Sequence, residues 1–430
     1  MFLNNYSFSV KLFCLFFISL TFDSFPFGFL NSVYKPLTII PIILIFLLSF
    51  KKSFFFISKK LVYLFIFLIL TSFFNSVFIN KYDGFLKFTF EIVFIISAVH
   101  CLNFTTRNLS LNDLKRILAY LSSKIVNLLI FVGFIQFFGR FNNFFNQISY
   151  YLNSIFIYRH DESRIQFFSG EPSMGVRVLI FFLIVSYISD KKKSFLQLIL
   201  AFSLIVLSGS TFGILFLVIL AIVYFFLSST NRTKFFFKSL FFVLIFFLLF
   251  NIFVLYAIDL MPNYTQNKFQ ILISIYENFT FEGILKIASI DGSFFLRVFN
   301  PIIGFQVFAE NPIIGVGGEN FKYYYVDLIQ KNYPFALNFP TVNEVYQNSS
   351  QITPKSMISK IMSEFGLIGL IIIIYSYKKI LNYLKKDRKL IILGSFIVAM
   401  SINYDGYIYL PMIFCFFLLK KYSKINNEFV

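Results

Sequence analysis

Charge is scarce in this sequence. Only 13% of its 430 residues are Asp, Glu, Lys or Arg, against about 25% in a soluble domain. Hydrophobic residues make up 58% and the mean hydropathy is +0.78. An ordinary soluble enzyme is thereby excluded, and a polytopic membrane protein is indicated. Cysteine is also rare: Cys14, Cys101 and Cys415 each sit in or beside an apolar run, with no metal-ligand spacing and no disulfide framework. The two histidines, His100 and His160, are far apart, which argues against a metal site. Tryptophan is absent, whereas Phe numbers 68. Alternating segments of about 10 residues, the mark of a membrane barrel, are missing. So are internal repeats, heptads and any separate soluble stretch.

The charge that is present has a sign, with a net value of +18. A basic face for nucleic acid is one way to use such a balance. Here the basic residues fall instead in short clusters between apolar runs, as the positive-inside rule expects, so nucleic acid is not the partner.

A spanning helix needs about 20 mostly apolar residues. Such runs occur near 8–27, 35–50, 61–79, 85–102, 117–138 and 173–189. Residues 194–228 are too long for one helix and divide at Ser208-Gly209-Ser210-Thr211. Further runs cover 239–258, 356–376, 390–403 and 406–419. The first run lacks a small-residue cleavage site and reads as a retained span. The fold class is therefore an all-α integral membrane protein, one polytopic domain of about twelve spans with both termini cytoplasmic. Basic clusters at Lys51 to Lys60, Arg107 to Arg116, Lys191 to Lys193, Arg232 to Lys238, Lys378 to Lys389 and the tail then share the cytoplasmic face. Two polar intervals, 139–172 and 259–355, face outward. The larger is too long to be a connector and reads as a cap over a site at the outer membrane face.

Candidate chemistry lies in those intervals. Arg159, Arg164 and Arg297 occupy outward segments that the charge bias depletes of cations, and Arg177 lies just inside a span, where ionisable groups are functional suspects. Guanidinium forks match phosphate oxygens bidentately; the plainer alternative is pairing with carboxylates such as Asp161 and Glu162, or snorkelling to lipid. Glu171, in Gly170-Glu171-Pro172-Ser173, first reads as a helix start with Pro in the first turn, and second as a base for a sugar hydroxyl. The tract Asn311-Pro312-Ile313-Ile314-Gly315-Val316-Gly317-Gly318-Glu319-Asn320 reads as a turn, or as exposed amides that hold an anion. Lys355 stands at the mouth of the tenth span, Ser356 is placed to cap it, and Glu364 within it reads as a buried support.

In order, these pieces resemble the O-antigen polymerase and ligase family of polytopic glycosyltransferases. Arg164 with Phe168 to Ser173 is similar to the family's Arg, then Ser-Gly, then Glu-Pro. Ser208 to Thr211 is similar to its Ser-x-Ser-Arg, with Thr211 in place of Arg. Ser293 to Asn320 resembles its Arg followed by Asn-Pro-x-x-Gly-x-Gly-x-x-Asn-Phe, and Thr353 to Gly369 its Pro-His-Asn and Glu-x-Gly-x-x-Gly, with Lys355 and Ser356 in place of His-Asn. The resemblance implies a GT-C-like architecture in the bacterial inner membrane. It implies transfer of a glycan from undecaprenyl pyrophosphate to a sugar hydroxyl at the periplasmic face, with no metal or soluble cofactor, and it admits a chain-length regulator as partner. The glycan's destination is lipopolysaccharide or capsule. On this footing Arg164, Arg297 and Glu171 are the expected catalytic residues. Arg159, Arg177, Asn311, Gly315, Gly317, Asn320 and Lys355 are expected to bind substrate. The missing His favours polymerase over ligase; a lipid-linked oligosaccharide flippase is the other alternative.

Overall fold

A computed structural model describes residues 6–25, 36–50, 59–156, 164–189, 195–229, 233, 235–242, 266, 292–348, 352–384, 390–404, 406 and 409–425. Arg159, Asp161, Glu162 and most of the run at 239–258 lie outside the described residues. Among these residues the protein is all-helical, with no strand. The helices are α1 (Phe8–Ser19), α2 (Ile39–Phe50), α3 (Lys59–Phe78), α4 (Asp83–Thr105), α5 (Leu111–Gly139), α6 (Asn143–Phe156), α7 (Pro172–Ser189), α8 (Phe195–Leu207) and α9 (Thr211–Ser228). They continue with α10 (Gly292–Glu310), α11 (Phe321–Asn332), a 3-10 turn (Pro334–Asn338), α12 (Pro340–Gln347), α13 (Met357–Leu384), α14 (Ile391–Asn403) and α15 (Leu410–Ile425). Of the described helices, α3, α4, α5, α7 and α13 are long and apolar enough to cross a membrane, and α1, α2, α8, α9 and α14 are shorter apolar helices. This is an integral membrane protein.

Local chemistry sets the helix ends. The Ser110 hydroxyl accepts from the Asp113 amide at 3.1 Å and caps α5. Gly209, at φ 62°, ends α8, and the Ser210 hydroxyl accepts from the Gly213 amide at 3.0 Å to start α9. The long apolar run is thus divided where the small polar residues fall. Pro172 opens α7, in the first turn where its missing amide costs nothing.

α7 is the central helix: 78% of its apolar stretch is buried, against 17% for α3. Its Phe181 and Phe182 meet Phe17 of α1, Phe396 of α14 and Phe414 of α15, with ring centroids 5.0 to 6.3 Å apart and edge-on or tilted geometries that favour aromatic contact. At one end of the bundle, Lys421 Nζ donates to the Thr106 carbonyl at 3.2 Å, and the Lys115 ammonium lies 5.2 Å from the centre of the Tyr422 ring. The basic turn after α4 and the basic tail therefore share that end.

Four expectations change. The first helix stops at Ser19, not near 27, and the chain turns back: the Leu37 amide donates to the Phe22 carbonyl at 2.9 Å. The interval 139–172 contains α6, an amphipathic helix with buried Ser149 and Asn153 and exposed Phe144, Tyr150 and Tyr151. The described part of 259–355 is helical and has its own apolar core, built from Phe295, Phe299, Ile303, Phe321, Tyr325, Ile329 and Val342. Finally, α13 runs past 376 to Leu384 but is broken at Gly366, whose φ of 59° and ψ of −139° are not helical.

Candidate functional site

The site begins with a buried amide. Gln136, 4% exposed on α5, accepts from the Gln166 and Phe167 amides at 3.0 and 2.8 Å and donates to the Phe167 carbonyl at 2.8 Å and to Asn153 Oδ1 at 2.9 Å. Phe167 has φ 56° and is fully buried, a strained conformation that these bonds hold in place. Gln166 Nε2 donates to the Gly170 carbonyl at 3.0 Å. The chain is thereby presented rigidly into Glu171 and α7. The Gln136→Leu variant is expected to melt at a markedly lower temperature in detergent, because each buried donor left without a partner costs about 1–3 kcal/mol. Melting alongside the parent would show that other groups fill the role.

Just beyond, a cavity of about 210 Å³ is lined by residues from five parts of the chain. Glu171 comes from just before α7 and Ser173, Met174 and Arg177 from its first turns, Arg297 from α10, Lys355 from the approach to α13, Asn403 and Tyr404 from the last residue of α14 and the one after it, and Asp23 from the turn after α1. Arg297 Nη2 stands 3.6 Å from Glu171 Oε2, and its guanidinium carbon lies 3.6 Å from the centre of the Phe212 ring of α9. A carboxylate on one side and a ring face on the other fix the plane of the fork. The Ser173 hydroxyl donates to Glu171 Oε2 at 3.4 Å. Arg177 is 4% exposed; Nη2 donates to the Asn403 carbonyl at 3.2 Å and Nη1 approaches the Met174 sulfur at 3.2 Å. Lys355, following Pro354, is held at φ 58°, an uncommon conformation for a residue with a Cβ. The cavity thus carries three cations and two carboxylates, a set suited to a multiply charged anion and to proton transfer beside it.

The glycine tract does other work. The Val316 amide donates to the Ser363 carbonyl at 3.0 Å, the Gly317 amide to the Glu364 carbonyl at 2.8 Å, and the Leu367 amide to the Pro312 carbonyl at 2.7 Å. Gly315, at φ 67°, approaches so closely that a Cβ would sit 2.3 Å from the Glu364 carbonyl carbon. The Gly318 amide donates to Ser72 Oγ, and Asn320 Nδ2 to the Val316 carbonyl and Ser76 Oγ. Asn311 Nδ2 closes onto the Val307 carbonyl at 3.3 Å. The amides offered for an anion are therefore engaged with the break in α13 and with α3. Next to them Glu319, 7% exposed and at φ 59°, pairs with the ammonium groups of Lys360 and Lys87. Burial pushes its carboxyl up, but the two cations outweigh that and hold it well below the usual carboxylate range.

Of the residues singled out in the sequence, Glu171, Arg177, Arg297 and Lys355 meet at the cavity. Arg164 is described but is not among the lining residues, and Asn311, Gly315, Gly317 and Asn320 lie at the α13 joint. Ser356 does not cap α13 with its side chain; its hydroxyl donates to the Ser401 carbonyl at 3.4 Å. Glu364 is buried at 1% exposure. Sequence reasoning passed over Asp23, hidden inside an expected span, and over Phe212, Asn403 and Tyr404, which nothing in their local pattern distinguishes from core. The pair Glu319 and Lys360 was missed as well, although an acid and a base in otherwise apolar surroundings are a usable signal. A family model described as O-Antigen ligase matches residues 196–374. The matched stretch contains the lining residues Arg297 and Lys355, and Phe212 against which Arg297 packs; the other lining residues lie outside it. No curated protein matches the chain.

Proposed function

We propose, from the premise that residues 196–374 are a segment of the O-antigen ligase family, that the protein transfers a glycan from a polyprenyl diphosphate to a sugar hydroxyl and that its role is to polymerise lipid-linked repeat units. The observation that carries this reading is the cavity itself, where Arg177, Arg297 and Lys355 face one volume of about 210 Å³. Diphosphate is already a good leaving group. What the reaction needs from the protein is fixed positive charge where negative charge develops, in a partly dry site, and two sugars held in line. Arg297 is suited to the first task, since Glu171 and Phe212 set its orientation before substrate arrives. Glu171 then serves chiefly to position that guanidinium.

Polymerase is preferred over ligase because Lys355 and Ser356 stand where the ligases carry His-Asn. A flippase is disfavoured by the absence of the internal repeats common in transporters. The basic turn after α4 and the basic tail share one end of the bundle, and charge bias supports reading that end as cytoplasmic and the cavity as opening on the periplasmic side of a bacterial inner membrane, with both termini cytoplasmic. Arg164, outside the cavity lining, is assigned a lesser role than Arg297. The test is the surface glycan of a strain lacking the gene, separated on a gel. Core capped by a single repeat unit is expected. Naked core would point to ligase or flippase, and an unchanged ladder would overturn the proposal.

A further inference from the structure

The cavity contains a second carboxylate. Asp23 lies in the turn between α1 and α2, outside both helices, and the bond from the Leu37 amide to the Phe22 carbonyl closes that turn beside it. The side chain is 4% exposed and lines the cavity together with Glu171, Arg177, Arg297 and Lys355. Neither of its oxygens has a well-aligned hydrogen-bond partner among the described residues, although the Ser169 hydroxyl and its own amide are close enough to favour its charged form. The great majority of buried polar groups are satisfied, so a buried carboxylate left in this state at a cavity wall is placed for a partner that arrives with substrate. Glu171 differs, since Arg297 and Ser173 already engage it.

We propose that Asp23 is the general base of the transfer, accepting the proton of the incoming sugar hydroxyl. The assignment rests on the glycan-transfer reading above. As the acceptor oxygen bonds to the anomeric carbon, its proton passes to an Asp23 oxygen. The bond from the anomeric carbon to the diphosphate oxygen breaks, and its electron pair leaves on the diphosphate, where Arg177, Arg297 and Lys355 offset the charge. Asp23 later releases the proton to water at the cavity mouth. The acid–base balance suits this role: burial pushes the Asp23 carboxyl up to about 7, Ser169, its own backbone and Arg177 pull it down, and Glu171 pushes it up. A base works best when its pKa lies near the operating pH. The charged and titratable groups around it are Glu171 just before α7, Arg177 in α7, Arg297 from α10, Lys355 before α13, and Tyr404 and Tyr409 beyond α14. The ionised fraction of Asp23, and with it the rate, rises as pH climbs through that value.

The experiment uses the full-length protein in nanodiscs with a diphosphate-linked repeat unit on undecaprenol as donor and acceptor. Asp23→Asn is expected to lower turnover by about 10²–10⁴-fold, while undecaprenyl diphosphate still raises its melting temperature as in the parent. Asp23→Glu is expected to recover part of the rate with a displaced acid limb. A parent that elongates and an Asp23→Asn variant within threefold of it would overturn the Asp23 assignment alone. A parent that transfers nothing would overturn the glycan-transfer reading and this assignment with it. If Asp23→Asn fails to fold, the parent's profile decides: a rate that is flat from about pH 5 to 8 overturns the assignment.

Discussion

Replacing Arg297 with Lys is expected to cut glycan transfer by about 10²–10³-fold, the cost of removing one well-aimed donor from a site of developing charge, with membrane insertion and melting temperature close to the parent's. The charge survives this change and the geometry does not. The Arg297 guanidinium carbon lies over Phe212, 3.6 Å from the ring centre, with Glu171 at 3.6 Å. That arrangement presents a planar fork, whereas an ammonium is a compact, strongly hydrated point that neither stacks nor bridges two oxygens. The measurement is chain extension, as ladder length in cells or turnover in nanodiscs. Arg164→Lys, altering a residue outside the cavity lining, is expected to have the smaller effect. A full ladder from Arg297→Lys would remove the diphosphate proposal.

The Glu319→Gln variant is expected to lose about 3–5 kcal/mol of stability, as when one member of a buried ion pair is removed and the other is left uncompensated. Lys360 is the member left behind, with only 3% of its side chain exposed; Lys87 is half in solvent and loses less. Thermal melting in detergent reads the effect. A second variant, Glu319→Gln with Lys360→Met, is expected to recover much of the loss, because the Lys360 ammonium is then no longer left buried without Glu319. Acid should act in the same direction. The folded-state pKa of Glu319 is depressed, so its stabilisation is fully present above the unfolded value of about 4.3 and fades as pH falls below that through the folded value. A parent and a Glu319→Gln variant that lose stability equally over that acid range would show that the pair does not contribute.

Much of the bundle was legible because a spanning helix states its length in apolar residues. Every expected span except that at 239–258 falls on a described helix, and Ser208 to Thr211 mark a real break because small polar residues can cap what apolar ones cannot. The boundaries fail where long-range contact overrides composition. The run at 8–27 reads as one helix, yet the chain turns after Ser19 and carries Asp23 to the cavity. α6 escaped notice because it alternates polar and aromatic residues, a mark of an interfacial helix and not of a span. Arg177, Arg297 and Lys355 stood out in the sequence as cations in or beside segments where charge is costly, and the fold brings all three to one cavity wall. The glycine tract read as a turn, or as an anion cradle; its sequence does not show the carbonyls of residues 363 and 364, which accept from two of its amides and leave it the turn.

The joint between residues 312–318 and the break in α13 is written in main-chain atoms, with three amide-to-carbonyl bonds across it. A coupling of that kind is indifferent to the identity of most neighbouring side chains. The exposed surfaces of α11 and α12 can therefore drift through many substitutions without loosening the attachment of this region to the helices beneath. Such a joint lets that surface diversify while the main chain of residues 312–318 stays in register with α13.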